Sequence, residues 1–260
     1  MNTTSRRRLL EAAAALAVLG AAGGAWAQAP AAPIPAKPYV PPKFGHPIPK
    51  TAAPMKIAIV GSGIVGGTLG GVWSKAGHQV MFSDRDPASA KARAAENPGA
   101  TSGTVQQAIA FGTVILIAIP FGAWPEFARE NGAELKGKTI FETTNPTAPR
   151  DGDLVAAALA KGSGVAVAEF LPGVHVARGF NTFGAAMMAS EAWRPGEKVA
   201  IPLAASDAAT MALAVRLVRD AGFDPVEVGG LATSKKFELR GPAAGAKLKA
   251  DLVAGLAQTP

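Results

Sequence analysis

The sequence predicts an α/β protein: a doubly wound, mostly parallel sheet with helices on both faces. Three observations carry this. Short β-rich runs alternate with helical stretches over residues 55–228. A glycine-rich turn joins the first strand directly to the first helix. At least one strand, residues 113–119, is apolar on both faces, as in a parallel sheet covered by helices.

The elements follow in order. Residues 56–60 (Lys-Ile-Ala-Ile-Val) form a strand, residues 64–76 a helix ending at Gly77, and residues 78–82 a second strand. Helices fit residues 87–96, 103–110 and 123–131. Residues 113–119 form a strand stopped by Pro120, and residues 138–141 another that leads into Glu142-Thr143-Thr144-Asn145-Pro146. Residues 165–168 alternate like a strand, but Ser163 as a cap and the stop at Leu171-Pro172-Gly173 favour a helix over 163–170. Strands at 174–177, 197–202 and 223–228 and a helix at 207–219, with Asp207 at its start, complete the sheet. His175 reads as a buried structural residue of its strand. Residues 229–260 are a C-terminal extension, weakly patterned and rich in Ala and Gly.

The glycine turn carries the first functional signal. Gly61-Ser62-Gly63-Ile64-Val65-Gly66 is a G-x-G-x-x-G sequence between a strand and a helix. The first glycine permits the tight turn, the second lets the backbone approach a pyrophosphate, and the third lets the helix pack on the sheet. Amides at the start of the helix favour phosphate. The domain over residues 55–228 is therefore expected to be Rossmann-type and to bind NAD(P) through residues 61–66. The second strand ends at Ser83-Asp84-Arg85. A carboxylate there suits the ribose hydroxyls of NAD, and an arginine suits the 2′-phosphate of NADP. Asp84 and Arg85 argue in opposite directions, so both cofactors stay open. Ile119-Pro120-Phe121 and the polar pair of Asn145 and Asn181, with Thr182, lie after strands and should gather at the ligand-binding edge of the sheet.

Composition removes other chemistries. Cysteine is absent, and histidine is limited to His46, His78 and His175, so no metal site is expected. The net charge of +7 comes from scattered residues, and aromatics make up 6%, which argues against a nucleic-acid surface. No residue suits the role of catalytic acid or base.

Taken together, the glycine loop, Ser83-Asp84-Arg85-Asp86-Pro87, Ile119-Pro120-Phe121, Thr144-Asn145-Pro146 and Gly179-Phe180-Asn181-Thr182 resemble the NADP-dependent oxidoreductase family that includes coenzyme-F420 reductases. The resemblance spans roughly residues 55–240. It implies that Ser62 contacts phosphate and that Arg85 holds the 2′-phosphate. It also implies hydride exchange between NADP(H) and a flavin or deazaflavin, a small-molecule redox acceptor placed by Asn145, Asn181 and Thr182. Asp84 replaces a common serine, Glu142 a usual aspartate, and Gly179 an alanine. The alternative is a non-catalytic NAD(P)-binding or sensing protein. A homodimer is open.

The first 27 residues read as an export signal. Arg6, Arg7 and Arg8 precede a short apolar run that ends Ala25-Trp26-Ala27. The consecutive arginines resemble a twin-arginine signal. Cleavage before Gln28 would leave a periplasmic protein with no stable membrane insertion. Residues 28–54 contain nine prolines and read as an extended linker.

Overall fold

A computed structural model describes residues 43–258. The export signal and the first part of the proline-rich segment lie outside the described residues. Strand β1 (Lys56–Val60) shows how the sheet is buried. Ile57 and Ile59 join one hydrophobic core, while Ala58 and Val60 join the other. This two-residue period places helices on both faces.

The sheet has eight strands in the order β3-β2-β1-β4-β5-β6-β7-β8. The others are β2 (Gln79–Ser83), β3 (Thr101–Ser102), β4 (Val114–Ile117), β5 (Thr139–Glu142), β6 (His175–Arg178), β7 (Ala200–Ala205) and β8 (Asp224–Gly230). Every pairing is parallel except β6 with β7, which is antiparallel and covers Ala177↔Ala205 and Arg178↔Ala204. One face carries α1 (Ile64–Lys75), whose Leu69, Val72 and Trp73 are buried, and the helix over Ala208–Asp220. The same face takes Ala90 of α2 (Pro87–Glu96), and the other carries α3 (Val105–Phe111) and α4 (Trp124–Leu135), which supply Ile109, Trp124 and Phe127 to the second core.

The expected helix over residues 163–170 is present as Ser163–Phe170. Other expectations need correction. The strand expected at 197–202 lies at Ala200–Ala205. Pro202 is tolerated inside it because β6 bonds only Ala204 and Ala205, so no partner on that side needs its missing N–H. His175 is not buried. Its side chain is half exposed at the start of β6, and Nδ1 lies 2.8 Å from Asp207 Oδ2. Asp207 caps its helix by accepting from the Thr210 N–H at 2.8 Å.

The C-terminal extension contains more structure than its weak pattern implies. A 3₁₀ segment (Leu231–Phe237) and a helix (Lys249–Leu256) pack Phe237 and Leu252 against Ala200 and Ala204 of β7. Residues 43–54 lie against the domain: Phe44 and Ile48 touch the first core, and the Thr51 N–H donates to the Ala76 carbonyl at 2.8 Å.

His78 anchors the entry into β1. Its Nδ1 accepts from the Met55 N–H at 3.1 Å, and Nε2 lies 3.2 Å from Asp220 Oδ2. Burial lowers its pKa, and Asp220 opposes that without reversing it. A depressed folded pKa means that the unfolded chain binds the proton more readily. This contribution is complete above the ordinary histidine range, near pH 6.5, and is lost as pH falls through the folded value. Thermal melts between pH 7.5 and 5.5 should show falling stability, and His78→Gln should flatten that dependence. An identical slope in the variant would assign it to other groups.

Candidate dinucleotide cleft

Gly61 turns with φ +93°, and a Cβ there would sit 2.5 Å from the Ala118 carbonyl oxygen. Only glycine fits this turn. A Cβ on Gly66 would collide with the Gly61 carbonyl oxygen and lie 3.0 Å from Ile59 Cγ2. A Cβ on Gly63 would meet nothing within 4 Å. Gly63 is the N-cap of α1, no side chain caps it, and the first turn has no acidic residue. This helix end therefore offers its dipole and amides to an anion.

The loop opens onto a cavity of 550 Å³, within the range of cofactor sites. Gly61, Gly63, Asp84, Arg85, Ile119 and Pro120 line it. Sequence reasoning named all six. Other expected residues support the wall. The Ser62 hydroxyl donates to the Ser83 carbonyl at 3.1 Å, and the Ser83 hydroxyl donates to the Ile59 carbonyl at 2.9 Å. Both tie the loop to β1 and β2. Ile64 is half exposed, and Val65 packs against the first core. Phe121 is fully buried in the second core.

Asp84 has two local duties. Oδ2 accepts from the Ser62 N–H at 2.6 Å, and Oδ1 from the Asp86 N–H at 3.1 Å. A ribose would share this carboxylate with the glycine loop. Arg85 is exposed at the rim.

The opposite wall was missed. Gln106, Glu126, Phe127, Glu130 and Asn131 line it. Gln106 Nε2 donates to Asn131 Oδ1 at 3.2 Å. Asn131 stands on the buried side of α4 with Phe127 and Leu135. An amide among apolar residues was the available signal.

Asn145, Asn181 and Thr182 gather elsewhere. Asn145 Nδ2 donates to the Asn181 carbonyl at 2.7 Å, and Asn181 Nδ2 donates to Asn145 Oδ1 at 3.4 Å. Beneath them Arg178, fully buried, bonds the Glu142 carboxylate, the Thr144 carbonyl at 2.8 Å and Asn145 Oδ1 at 3.2 Å. Its Nε lies 3.7 Å from Glu238 Oε1. Trp124 Nε1 donates to the Thr144 hydroxyl at 3.0 Å. Asn181 and Thr182 line a separate cavity of 260 Å³ with residues of the C-terminal extension. Between them and Arg178, Phe180 holds a left-handed backbone (φ 55°) and packs edge-on against Trp73, Phe141 and Phe223. The aromatic packing offsets a backbone cost of about 1–3 kcal/mol.

Asp151 joins the two ligand-edge loops. Its Oδ1 accepts from the Gly122 N–H and its Oδ2 from the Thr147 N–H, both at 2.8 Å. Burial acts to raise this carboxyl's pKa, but Arg150 and the two amides outweigh it and hold it below the usual value. Among the described residues there is no acidic, histidine or cysteine cluster able to hold a metal ion. No helix among them is long and apolar enough to cross a membrane.

Residues 56–146 match the family model described as NADP oxidoreductase, coenzyme F420-dependent. No curated protein matches the chain. Among solved structures, the fold is shared with a hypothetical protein from Sinorhizobium meliloti at TM-score 0.65 and 19% identity, covering 76% of this chain and 96% of that one. A protein provisionally titled an F420-dependent NADP reductase, from Arthrobacter sp. FB24, gives 0.60 and 23%, covering 70% and 87%. Mycobacterium tuberculosis 3-hydroxyisobutyrate dehydrogenase gives 0.50 and 15%, covering 70% and 57%. The segment that carries the glycine loop thus matches a model of NADP oxidoreductases, and the Rossmann-type fold around it is shared with these solved structures.

Proposed function

We propose that the chain transfers hydride between NADP(H) and a planar flavin-like or deazaflavin acceptor. The observation that carries this reading is the glycine cradle opening onto the 550 Å³ cleft with Arg85 at its rim. Bound NADP(H) would supply the hydride chemistry. The chain's own part is to bind and orient. The uncapped start of α1 would take the pyrophosphate, Arg85 the 2′-phosphate, and Ile119 and Pro120 would shape the wall after β4. Asn145, Asn181 and Thr182 would position the acceptor, and no acid or base is required of them. Residues 1–27 would direct the protein to the periplasm by the twin-arginine route, which intact-mass analysis of periplasmic fractions tests through a start at Gln28.

An anaerobic assay of the purified protein, following reduced-nicotinamide absorbance with deazaflavin, free flavin and ferric chelates in turn, tests the reaction. Turnover should fall at least tenfold in Asn181→Ala while cofactor affinity is kept. Tight cofactor binding with no turnover across the panel would favour the non-catalytic sensing alternative.

Cofactor choice has its own test. Arg85→Ala should weaken NADP selectively, by about 1.5–3 kcal/mol for loss of a charge-assisted contact. Calorimetric titration with both cofactors reads it directly. An equal loss for NAD would make Arg85 a structural residue.

A further inference from the structure

We propose that Arg150 holds a phosphate group of the acceptor and so selects phosphorylated flavin-like or deazaflavin molecules over their uncharged counterparts. The inference rests on the hydride-transfer reading and gives it a specificity-determining residue. Arg150 lies outside residues 56–146, the segment that the family model matches.

The geometry starts at Asp151. Its side chain is fully buried, and it bridges the Gly122 and Thr147 amides of the two ligand-edge loops. Arg150 docks on the same carboxylate: Nε donates to Oδ1 and Nη2 to Oδ2, each at 2.8 Å. Nη2 also donates to the Asn145 carbonyl at 2.7 Å. A planar guanidinium engaged along one edge and at one corner is fixed in orientation. An arginine that is 39% exposed on its side chain is thus ordered before any ligand arrives. Little rotamer freedom is left to lose on binding.

The donors that remain set the ligand. Nη1 makes no hydrogen bond or ion pair to any described residue, and its two N–H groups diverge from one nitrogen. A carboxylate favours two parallel N–H groups, and that fork, Nε with Nη2, is occupied by Asp151. A phosphate carries several oxygens about one centre and accepts single donors from different directions.

Position assigns the phosphate to the acceptor. Arg150 bonds the carbonyl of Asn145, which the hydride-transfer reading sets beside the acceptor. Arg85, the residue given to the cofactor's 2′-phosphate, follows β2, whereas Arg150 follows β5. Those strands are three spacings apart in the sheet, about 14 Å. One phosphate does not span that gap, so the two arginines serve different groups.

The test is fluorescence titration of the full chain, in saturating NADP, with FMN and riboflavin and with the matching 5-deaza pair. Saturating NADP keeps the phosphates of the probes from the glycine loop. The phosphorylated member of a pair should bind about tenfold tighter than its counterpart, the scale of one charge-assisted contact. Arg150→Gln should abolish that preference and leave riboflavin and NADP affinity unchanged. Arg150→Lys keeps a cation beside Asp151 but lacks the fixed third nitrogen, so it should lose the preference too, and it covers the case in which the glutamine variant melts early. Equal affinity within both pairs, or a preference that survives in both variants, overturns the proposal. The anaerobic assay separates the two readings. Hydride transfer to both members of a pair with equal KM ends this inference alone. An Arg150-dependent preference without hydride transfer ends the hydride-transfer reading alone, and absence of binding by all four compounds ends both.

Discussion

Arg178→Met should destabilise the protein by about 3–5 kcal/mol, the cost of leaving buried charge without its partner. Arg178 is fully buried and bonds the Glu142 carboxylate, with Glu238 on its other side. Removing the guanidinium leaves two buried carboxylates without their cation and strips the Thr144 carbonyl of a donor. Methionine fills much of the volume, so the loss reports charge and hydrogen bonds rather than a cavity. The melting temperature should drop by roughly 10 °C for a domain of this size. Denaturant unfolding of the variant and of Glu142→Gln/Arg178→Met provides the check. The double variant should recover part of the loss, because one uncompensated carboxylate is neutralised. A single variant within about 1 kcal/mol of the parent would show that the ion group adds no stability.

Gly66→Ala should cost both stability and cofactor binding, whereas Gly63→Ala should cost binding alone. At Gly66 the new methyl group would strike backbone, the Gly61 carbonyl, which cannot rotate away. Overpacking of this kind costs about 1–3 kcal/mol and moves the loop. At Gly63 the methyl group meets no protein atom within 4 Å but enters the path to the helix start. NADP affinity should fall at least tenfold in both, while only Gly66→Ala melts at lower temperature. Full NADP affinity in Gly63→Ala would mean that the dinucleotide does not approach this turn.

The legible features were those with a local cause. The glycine turn, the apolar strands and the helix over residues 163–170 each declare themselves within about ten residues, although Gly162 and not Ser163 is that helix's N-cap. The six residues named for the cleft that do line it follow from strand ends and the turn. The far wall did not, because Gln106 and Asn131 are 25 residues apart and meet only after two helices pack. His175 illustrates the same limit: a strand position suggests burial, but its partner Asp207 comes from a helix start 32 residues on. The C-terminal extension was hidden by its alanines and glycines, which give little contrast between faces. Its large anchors, Phe237 and Leu252, are both fully buried but stand alone in that background.

The one antiparallel step of the sheet has a consequence for how the protein comes apart. Between β6 and β7 only two residue pairs are in register, against four on the inner side at β5 and β6 and six between β7 and β8. Strands β7 and β8 are thus tied to the rest of the sheet by few backbone bonds, and side chains carry the tie instead: the helix over Ala208–Asp220 shares the first core with α1, and Trp73 Nε1 donates to the Leu217 carbonyl at 3.0 Å. Amide exchange should therefore be faster for the two β6–β7 pairs than for the six between β7 and β8. Arg178 occupies this seam, in register with Ala204. Attachment of the last two strands therefore depends on apolar packing more than it would in a uniformly paired sheet, so core substitutions there should be felt on both sides of the seam.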